Sequence, residues 1–312
     1  KGDCLIESDK IESGSVDLIL TDLPYGTIKG LGGEIKKYKR LSNSDWDNVI
    51  DTDKIMQIAN RILRKNGKMV LTANQPFTTE LISKAIPNLP HCYNMYWDKI
   101  HFANCLVANC LIANKAPVSY IEDVLVFTKS KCYNAPHPLI KYAKQVIHYI
   151  DKPMKEITNK TNRSLFYRVS DRDFGLPTLK GYLKLIEIFN IDKMQGFKEF
   201  SELKEIDNQF KKKFASTFNL WEGNKYKRNI LKYKKDYNGH HPTQKPILLL
   251  EDLIKTFSNE NDLVVDLTMG SGSTGVACEN TKRNFIGIEK DENYFKIAEK
   301  RIKETKQQTE LF

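Results

Sequence analysis

Apolar positions in this chain follow two rhythms that take turns. Residues 16–21, Val-Asp-Leu-Ile-Leu-Thr, form a short buried run that stops at Asp22-Leu23-Pro24, which predicts a strand. In 53–64 the apolar residues Ile55, Ile58, Ala59, Ile62 and Leu63 share one helical face, and Asn66-Gly67 supplies the stop. Residues 68–72 read as a second strand, 77–86 as a short helix ended by Pro87, and 92–97 and 124–128 as two more strands. Amphipathic spacing predicts helices over 178–190 and 197–214. Pro246 then opens a helix through Phe257, where its missing N–H costs no bond in the first turn. A strand over 263–267, a Gly-rich turn, a helix from Thr274, a strand over 284–288 and a helix over 292–306 complete the pattern.

Strands alternating with helices predict an α/β chain: a mostly parallel, twisted sheet with helices on both faces. Ligands of such sheets bind beyond the carboxyl ends of the strands. The residues after positions 21 and 266 are therefore the first to inspect.

Composition narrows the class. The chain has 312 residues, 40% apolar and 28% charged, enough to bury a core without disulfide staples. No apolar run approaches the roughly 20 residues that span a bilayer. No charged-then-apolar leader opens the sequence, so a cytoplasmic protein is expected rather than a secreted one. The six cysteines form no CxxC pair and read as reduced thiols; neither Cys105 with Cys110 nor His240-His241 makes a metal site, and no metal is expected. A short repeat, 103–107 and 108–112, is too small to define an architecture.

The net charge of +10 is unevenly spread. Residues 129–240 hold 24 Lys and Arg against 12 Asp and Glu, whereas the rest holds 25 against 27. A near-neutral framework thus carries a basic insert in which Phe166, Tyr167, Trp221, Tyr226, Tyr233 and Tyr237 are interleaved with Arg163, Arg168, Arg172, Lys225, Lys227 and Arg228. Cations with aromatics suit a phosphate backbone and exposed bases, although a solubilising lysine-rich surface gives the same count.

The turn Asp266-Leu-Thr-Met-Gly270-Ser-Gly272-Ser-Thr-Gly275 follows a strand and opens a helix, where exposed amides favour an anion. Glu289 ends the next strand, where a carboxylate can accept from ribose hydroxyls. A dinucleotide, S-adenosylmethionine or plain packing would each account for this turn. Only 37 residues follow Gly275, little room for the second half of a dinucleotide fold.

The other strand end separates these readings. Asp22-Leu23-Pro24-Tyr25 resembles the Asp-Pro-Pro-Tyr motif of amino-directed DNA methyltransferases. Its place before a basic insert, with the glycine turn after it, resembles the β class. Gly2-Asp3-Cys4, Trp97-Asp98-Lys99, Glu122-Asp123 through Phe127, His241-Pro-Thr243-Gln244-Lys245-Pro246 and Ile286-Gly287-Ile288-Glu289 with Tyr294 extend the resemblance in the family's order over most of the chain. Leu23 departs from the usual first proline, and Leu267-Thr268 from the usual Pro-Phe; Thr268 removes an aromatic wall near the cofactor. The family's first short strand would lie before Gly2.

The resemblance implies a Rossmann-like methyltransferase fold in which 1–128 and 241–312 form one domain and 129–240 is a target-recognition insert. It implies S-adenosyl-L-methionine as cofactor, held by Asp3, Cys4, Asp22, Thr243, Gln244, Lys245, Asp266, Thr268, Gly270, Gly272, Ser273, Thr274 and Glu289. The HPTQKP segment would approach the methionine end. Asp22 and the Leu23 carbonyl would accept from the amino group of a flipped base, with Pro24 fixing the backbone and Tyr25 stacking. Adenine N6 is the expected target, because the Asp-first motif usually goes with it; cytosine N4 uses the same geometry. The absence of a Pro-Cys pair disfavours cytosine C5. Trp46-Asp47 is read as an anchor of the loop after Tyr25.

The expected partner is double-stranded DNA, bound through Arg163, Arg168, Arg172, Lys225 and Arg228. Gln308-Thr-Glu-Leu-Phe312 resembles the peptide by which bacterial replication proteins dock on the sliding clamp, and a homodimer stays open. A non-catalytic DNA-binding protein and a dinucleotide oxidoreductase are the rival classes.

Overall fold

The computed structural model describes residues 1–25, 49–100, 114–115, 117–129, 137–161, 166, 174–214, 216–236 and 244–309. In chain order the elements are α1 (Cys4–Glu7), β1 (Val16–Thr21), α2 (Thr52–Ile62), β2 (Leu63–Ala73), α3 (Phe77–Ser83), β3 (His91–Asp98) and β4 (Ile121–Thr128). They continue with α4 (Leu139–Ile150), α5 (Met154–Lys160), α6 (Leu179–Phe189), α7 (Phe200–Phe214), β5 (Ile230–Lys232), α8 (Ile247–Phe257), β6 (Leu263–Asp266), α9 (Ser273–Asn280), β7 (Asn284–Gly287) and α10 (Glu292–Thr309). Two compact units result, Lys1–Ser130 with Ser216–Phe312, and Lys131–Ala215.

The first unit is built on a sheet of order β5-β3-β4-β2-β1-β6-β7. Among the described strands β4 alone runs against its neighbours; the other pairings are parallel. The alternating pleat explains how both faces are covered. Ile19, Met69, Leu71, Leu125, Phe127 and Val265 face one way, into a core completed by Ile55, Met56 and Ile62 of α2 and Phe77 of α3. Leu18, Leu20, Val70, Val124, Val126 and Val264 face the other, against Leu249, Leu253 and Phe257 of α8 and Ala277 of α9. The expected mostly parallel sheet with helices on both faces is thus found. No described helix is long and apolar enough to cross a membrane.

Some boundaries differ from the sequence pattern. Leu63 turns to extended backbone (ψ 136°), so α2 stops at Ile62 and β2 starts five residues before position 68.

The basic 129–240 stretch is not one body. Residues 216–236 lie in the sheet unit, where β5 extends the sheet in parallel beside β3, with Trp97 opposite Leu231. Leu231 enters the α8-side core, and the Trp97 indole donates to the Tyr233 carbonyl at 2.8 Å. Lys131–Ala215 forms the second unit, whose core gathers Leu139, Tyr142, Val146, Ile157, Phe166, Tyr182 and Leu203. Helices α6 and α7 match the two expected there. Helices α4 and α5 were not expected, although Leu139, Tyr142, Ala143, Val146 and Ile150 have helical spacing.

Candidate active site

Parallel strands bring their carboxyl ends to one edge, and the reversed β4 brings its amino end there too. Asp22 follows β1, Thr72 lies near the end of β2, and Glu122 is the second residue of β4. Lys99 follows β3, and Lys245 sits just before α8. These residues form one row of charges. Lys245 Nζ lies 2.5 Å from Asp22 Oδ2 and 3.0 Å from Glu122 Oε1, and Lys99 Nζ lies 2.8 Å from Glu122 Oε2. Thr72 and Tyr25 hydroxyls reach Asp22 Oδ1 at 2.5 and 2.8 Å, and the Tyr25 hydroxyl also lies 3.2 Å from Glu122 Oε1. The Tyr25 ring rests against Phe77 at 5.5 Å.

Burial orders the row. The Asp22 side chain is 28% exposed, whereas those of Lys245 and Glu122 are 10% and 6% exposed. Burial alone would push Glu122 up, but Lys245 and Lys99 reverse this and hold it at about 2. Burial likewise opposes charge on Lys245, yet Asp22 and Glu122 hold it above the ordinary lysine range. Burial and the same two carboxylates push Tyr25 well up, so it is a neutral donor. No described residue donates to the Leu23 carbonyl, which follows Asp22 in the chain. The Leu23 side chain is buried in the core.

The glycine turn is tied to this row. Thr268 Oγ1 donates to the Asp22 carbonyl at 2.9 Å and lies 2.9 Å from Thr21 Oγ1. Asp266 accepts three hydrogen bonds: Thr21 Oγ1 donates to it at 2.7 Å, Thr274 Oγ1 at 2.6 Å and the Thr268 amide at 3.1 Å. Burial raises Asp266 to about 6 against these donors. Gly270 is left-handed (φ 52°) and a Cβ there would meet nothing within 4 Å, so this glycine faces open space. Gly272 (φ 81°) lies against α10, where a Cβ would come 2.7 Å from Ala298 Cβ. Gly275 would meet Ile302 Cδ1 at 2.3 Å. Gly272 and Gly275 therefore serve close packing, and the left-handed Gly270 and Gly272 serve the turn.

Asp3 and Glu289 meet through the Gly2 amide, which donates to the Glu289 carbonyl at 2.9 Å. Asp3 caps α1 through the Leu5 amide at 3.0 Å and pairs with Lys290 at 3.0 Å. The Glu289 carboxylate accepts from the Gly270 and Asp291 amides at 2.9 and 2.7 Å, which leaves lone pairs for further donors. Gln244 Oε1 accepts from Ser271 at 3.4 Å, while its buried Nε2 has no partner among the described residues. A buried, unsatisfied amide beside a turn that is open at Gly270 fits an anionic ligand group, and the donor set fits S-adenosyl-L-methionine.

Other expected residues are placed apart or differently. Lys245, expected at the cofactor's methionine end, lies on Asp22. The Cys4 thiol is packed in the core, where burial raises it to about 11. Ser273 opens α9, and its hydroxyl lies 3.4 Å from Arg301 Nη1. Lys225 and Arg228 are exposed in the segment leading into β5 and make no contact with Asp22. Thr243, Arg163, Arg168, Arg172, His241 and Trp46-Asp47 lie outside the described residues, as do Glu310–Phe312; Gln308 is exposed near the end of α10. Sequence reasoning assigned no role to Thr72, Lys99, Glu122 or Arg301. Glu122 and Lys99 stood in quoted motif segments, but only the reversed β4 shows that Glu122 meets both Lys99 and Lys245.

A family profile described as N6_N4 DNA methylase matches residues 16–300. Type II methyltransferase M2.LlaDCHI of Lactococcus lactis subsp. cremoris is 25% identical over 298 residues, covering 94% of this chain and 84% of the relative. DNA adenine methyltransferase YhdJ of Escherichia coli K12 is 26% identical over 305 residues, covering 96% of this chain and 81% of the relative. Two solved structures share the fold: the M1.HpyAVI–SAM complex (TM-score 0.51, 20% identity, 95% of this chain and 91% of that one) and the cytosine-N4-specific PvuII DNA methyltransferase (TM-score 0.51, 12% identity, 99% and 90%).

Proposed function

The chain belongs to the N6_N4 family of DNA methylases and is an S-adenosyl-L-methionine-dependent DNA methyltransferase; from that premise we propose that it methylates the exocyclic N6 of adenine in a base turned out of the duplex. The observation that carries this reading is the pair of acceptors after β1. The part-exposed Asp22 carboxylate stands next to the Leu23 carbonyl, to which no described residue donates.

An exocyclic amine is a weak nucleophile because its lone pair is conjugated with the ring. Acceptors on both N–H groups draw that lone pair back onto nitrogen. Asp22 and the Leu23 carbonyl supply them, and Asp22 holds the proton that leaves. Tyr25, braced by Phe77, offers the ring on which the base stacks. A base inside the duplex cannot reach this recess, so it must be extruded. S-adenosyl-L-methionine, when bound, supplies an electrophilic methyl group on a sulfonium. Asp3, Gln244, Glu289 and the turn from Gly270 to Thr274 would hold it. Catalysis then rests on positioning and fixed charge.

Adenine is favoured over cytosine by the Asp-first motif and by the printed name of the Escherichia coli relative. The order of Asp22 before the basic stretch, and of the glycine turn after it, supports the β class. The second unit, with Arg163, Arg168 and Arg172 in its sequence, is the site-recognition module in this reading, and Lys225 and Arg228 add phosphate contacts. The tail from Gln308 docks the enzyme on the sliding clamp in the cytoplasm. Deleting Leu311-Phe312 should abolish clamp binding, and unchanged binding rejects that docking.

The test is mass spectrometry of nucleosides from unmethylated DNA incubated with enzyme and S-adenosyl-L-methionine. N6-methyladenine is expected. N4-methylcytosine would keep the site and overturn the base, and the absence of both products would overturn the reading.

A further inference from the structure

The row Asp22–Lys245–Glu122–Lys99 contains more charge than the reaction just described requires. Lys245 Nζ sits 2.5 Å from the carboxylate that receives the amino group. A cation there opposes methyl transfer, because positive charge grows on the amino nitrogen as the bond forms. It also spends the charge of Asp22 before the base arrives. The second carboxylate changes this balance. Glu122 lies 3.0 Å from the same ammonium and is more deeply buried than Asp22. In that setting charges interact strongly.

We propose that Glu122 is a positioning residue that neutralises Lys245, so that the Asp22 charge stays available for the positive charge developing on the substrate nitrogen. The proposal rests on the methyltransferase reading above and deepens it. The row alternates in sign and carries no net charge, with Glu122 shared between Lys99 and Lys245 and with Asp22 as its more exposed carboxylate. Lys99 anchors the buried end of the row at 2.8 Å. Lys245 in turn holds the Asp22 carboxylate against the Tyr25 and Thr72 hydroxyls. When the amino group comes in, it takes over one of these acceptor sites, and Glu122 is the place to which the ammonium withdraws.

The arrangement predicts a rescue. Glu122→Gln keeps size and hydrogen-bonding capacity but leaves Lys245 to Asp22 alone. Single-turnover methyl transfer should slow by about tenfold or more, the scale of losing one charge within a few ångströms. Affinity for S-adenosylhomocysteine and for DNA, measured by titration, should stay within about twofold, since the Glu122 side chain is 6% exposed. Adding Lys245→Met to Glu122→Gln removes the cation as well, and the rate should rise above that of the single variant. A purely structural tie predicts the reverse, because the double variant loses more contacts.

A second measurement covers a Glu122→Gln protein that does not fold. The ionisable groups facing this row are Asp22, Tyr25, Lys99, Glu122, Lys235, Lys245 and Asp266. Glu122→Asp, which keeps the charge, should retain most of the rate. A Glu122→Gln enzyme as fast as wild type, a double variant slower than the single, or a folded Glu122→Asp enzyme that loses about tenfold or more of the rate overturns the proposal. Failure of the wild-type enzyme to methylate DNA at all would instead reject the reading beneath it, and this role with it.

Discussion

Arg301 Nη1 donates to the Ser271 carbonyl at 2.6 Å, so the last helix grips the glycine turn after β6. The same nitrogen lies 3.1 Å from Ser271 Oγ. Arg301→Met should keep the helix and lose this grip. Affinity for S-adenosylhomocysteine should fall by about tenfold, in line with a charge-assisted hydrogen bond. Calorimetric titration measures it, and unchanged affinity would mean that the turn holds its shape without α10.

The two left-handed glycines of that turn should respond differently to alanine. At Gly272 the added methyl meets Ala298 Cβ at 2.7 Å and Cα at 2.9 Å, while at Gly270 it meets nothing within 4 Å. Gly270→Ala should cost about 1–2 kcal/mol from backbone conformation alone, and Gly272→Ala about 2–4 kcal/mol, because overpacking adds to it. Urea unfolding of both variants decides; equal costs would contradict the packing role.

Asp252 joins the segment after the second unit to α8. It accepts from the Trp221 indole at 2.9 Å, the Tyr233 hydroxyl at 2.9 Å and the buried Lys227 ammonium. Asp252→Ala strands that ammonium, a loss of about 3–5 kcal/mol. Double replacement by Asp252→Ala and Lys227→Met should recover part of it in thermal unfolding. A double variant no more stable than the single would argue against an unpaired charge as the cause.

His137 gives the second unit a pH response of known sign. Its Nδ1 accepts the Leu139 amide at 3.2 Å, so Nε2 carries the proton and faces Asp207 Oδ1 at 3.2 Å. Burial between Phe174 and Phe210 lowers its pKa, Asp207 opposes this, and Lys211 adds to the lowering. The unfolded chain therefore binds the proton first. This contribution to stability is complete above about pH 6.5 and is lost as pH falls from there towards the folded value. Unfolding free energies at pH 7.5 and 5.5 should differ more in wild type than in His137→Gln. Equal differences would remove His137 from the account.

Sequence legibility followed the local physics. The bounds of strand β1 are legible to the residue, since a mostly apolar run, five of its six positions buried, stops shortly before Pro24. The candidate site was legible as two strand ends, because Asp22-Leu23-Pro24-Tyr25 and the glycine turn each break a pattern abruptly. Lys245 was visible, but its place was not. An ion pair 223 residues apart in sequence depends on which strands are neighbours and which one is reversed. Glu122 and Lys99 were hidden for the same reason. Strand β5 was read as part of the insert, because three residues among lysines carry no apolar rhythm; only Leu231 is buried there. Helix α4 did have the rhythm and was overlooked within a basic stretch.

The central claim is that Asp22 accepts from the amino group while the methyl group is transferred. The most direct test is the single-turnover rate of Asp22→Asn against wild type, on the same DNA and with the methylated nucleoside identified by mass spectrometry. The account predicts N6-methyladenine from the wild type. It predicts a loss of about 10²-fold or more in Asp22→Asn, with S-adenosylhomocysteine and DNA affinities retained. An Asp22→Asn enzyme that transfers at the wild-type rate would contradict the account.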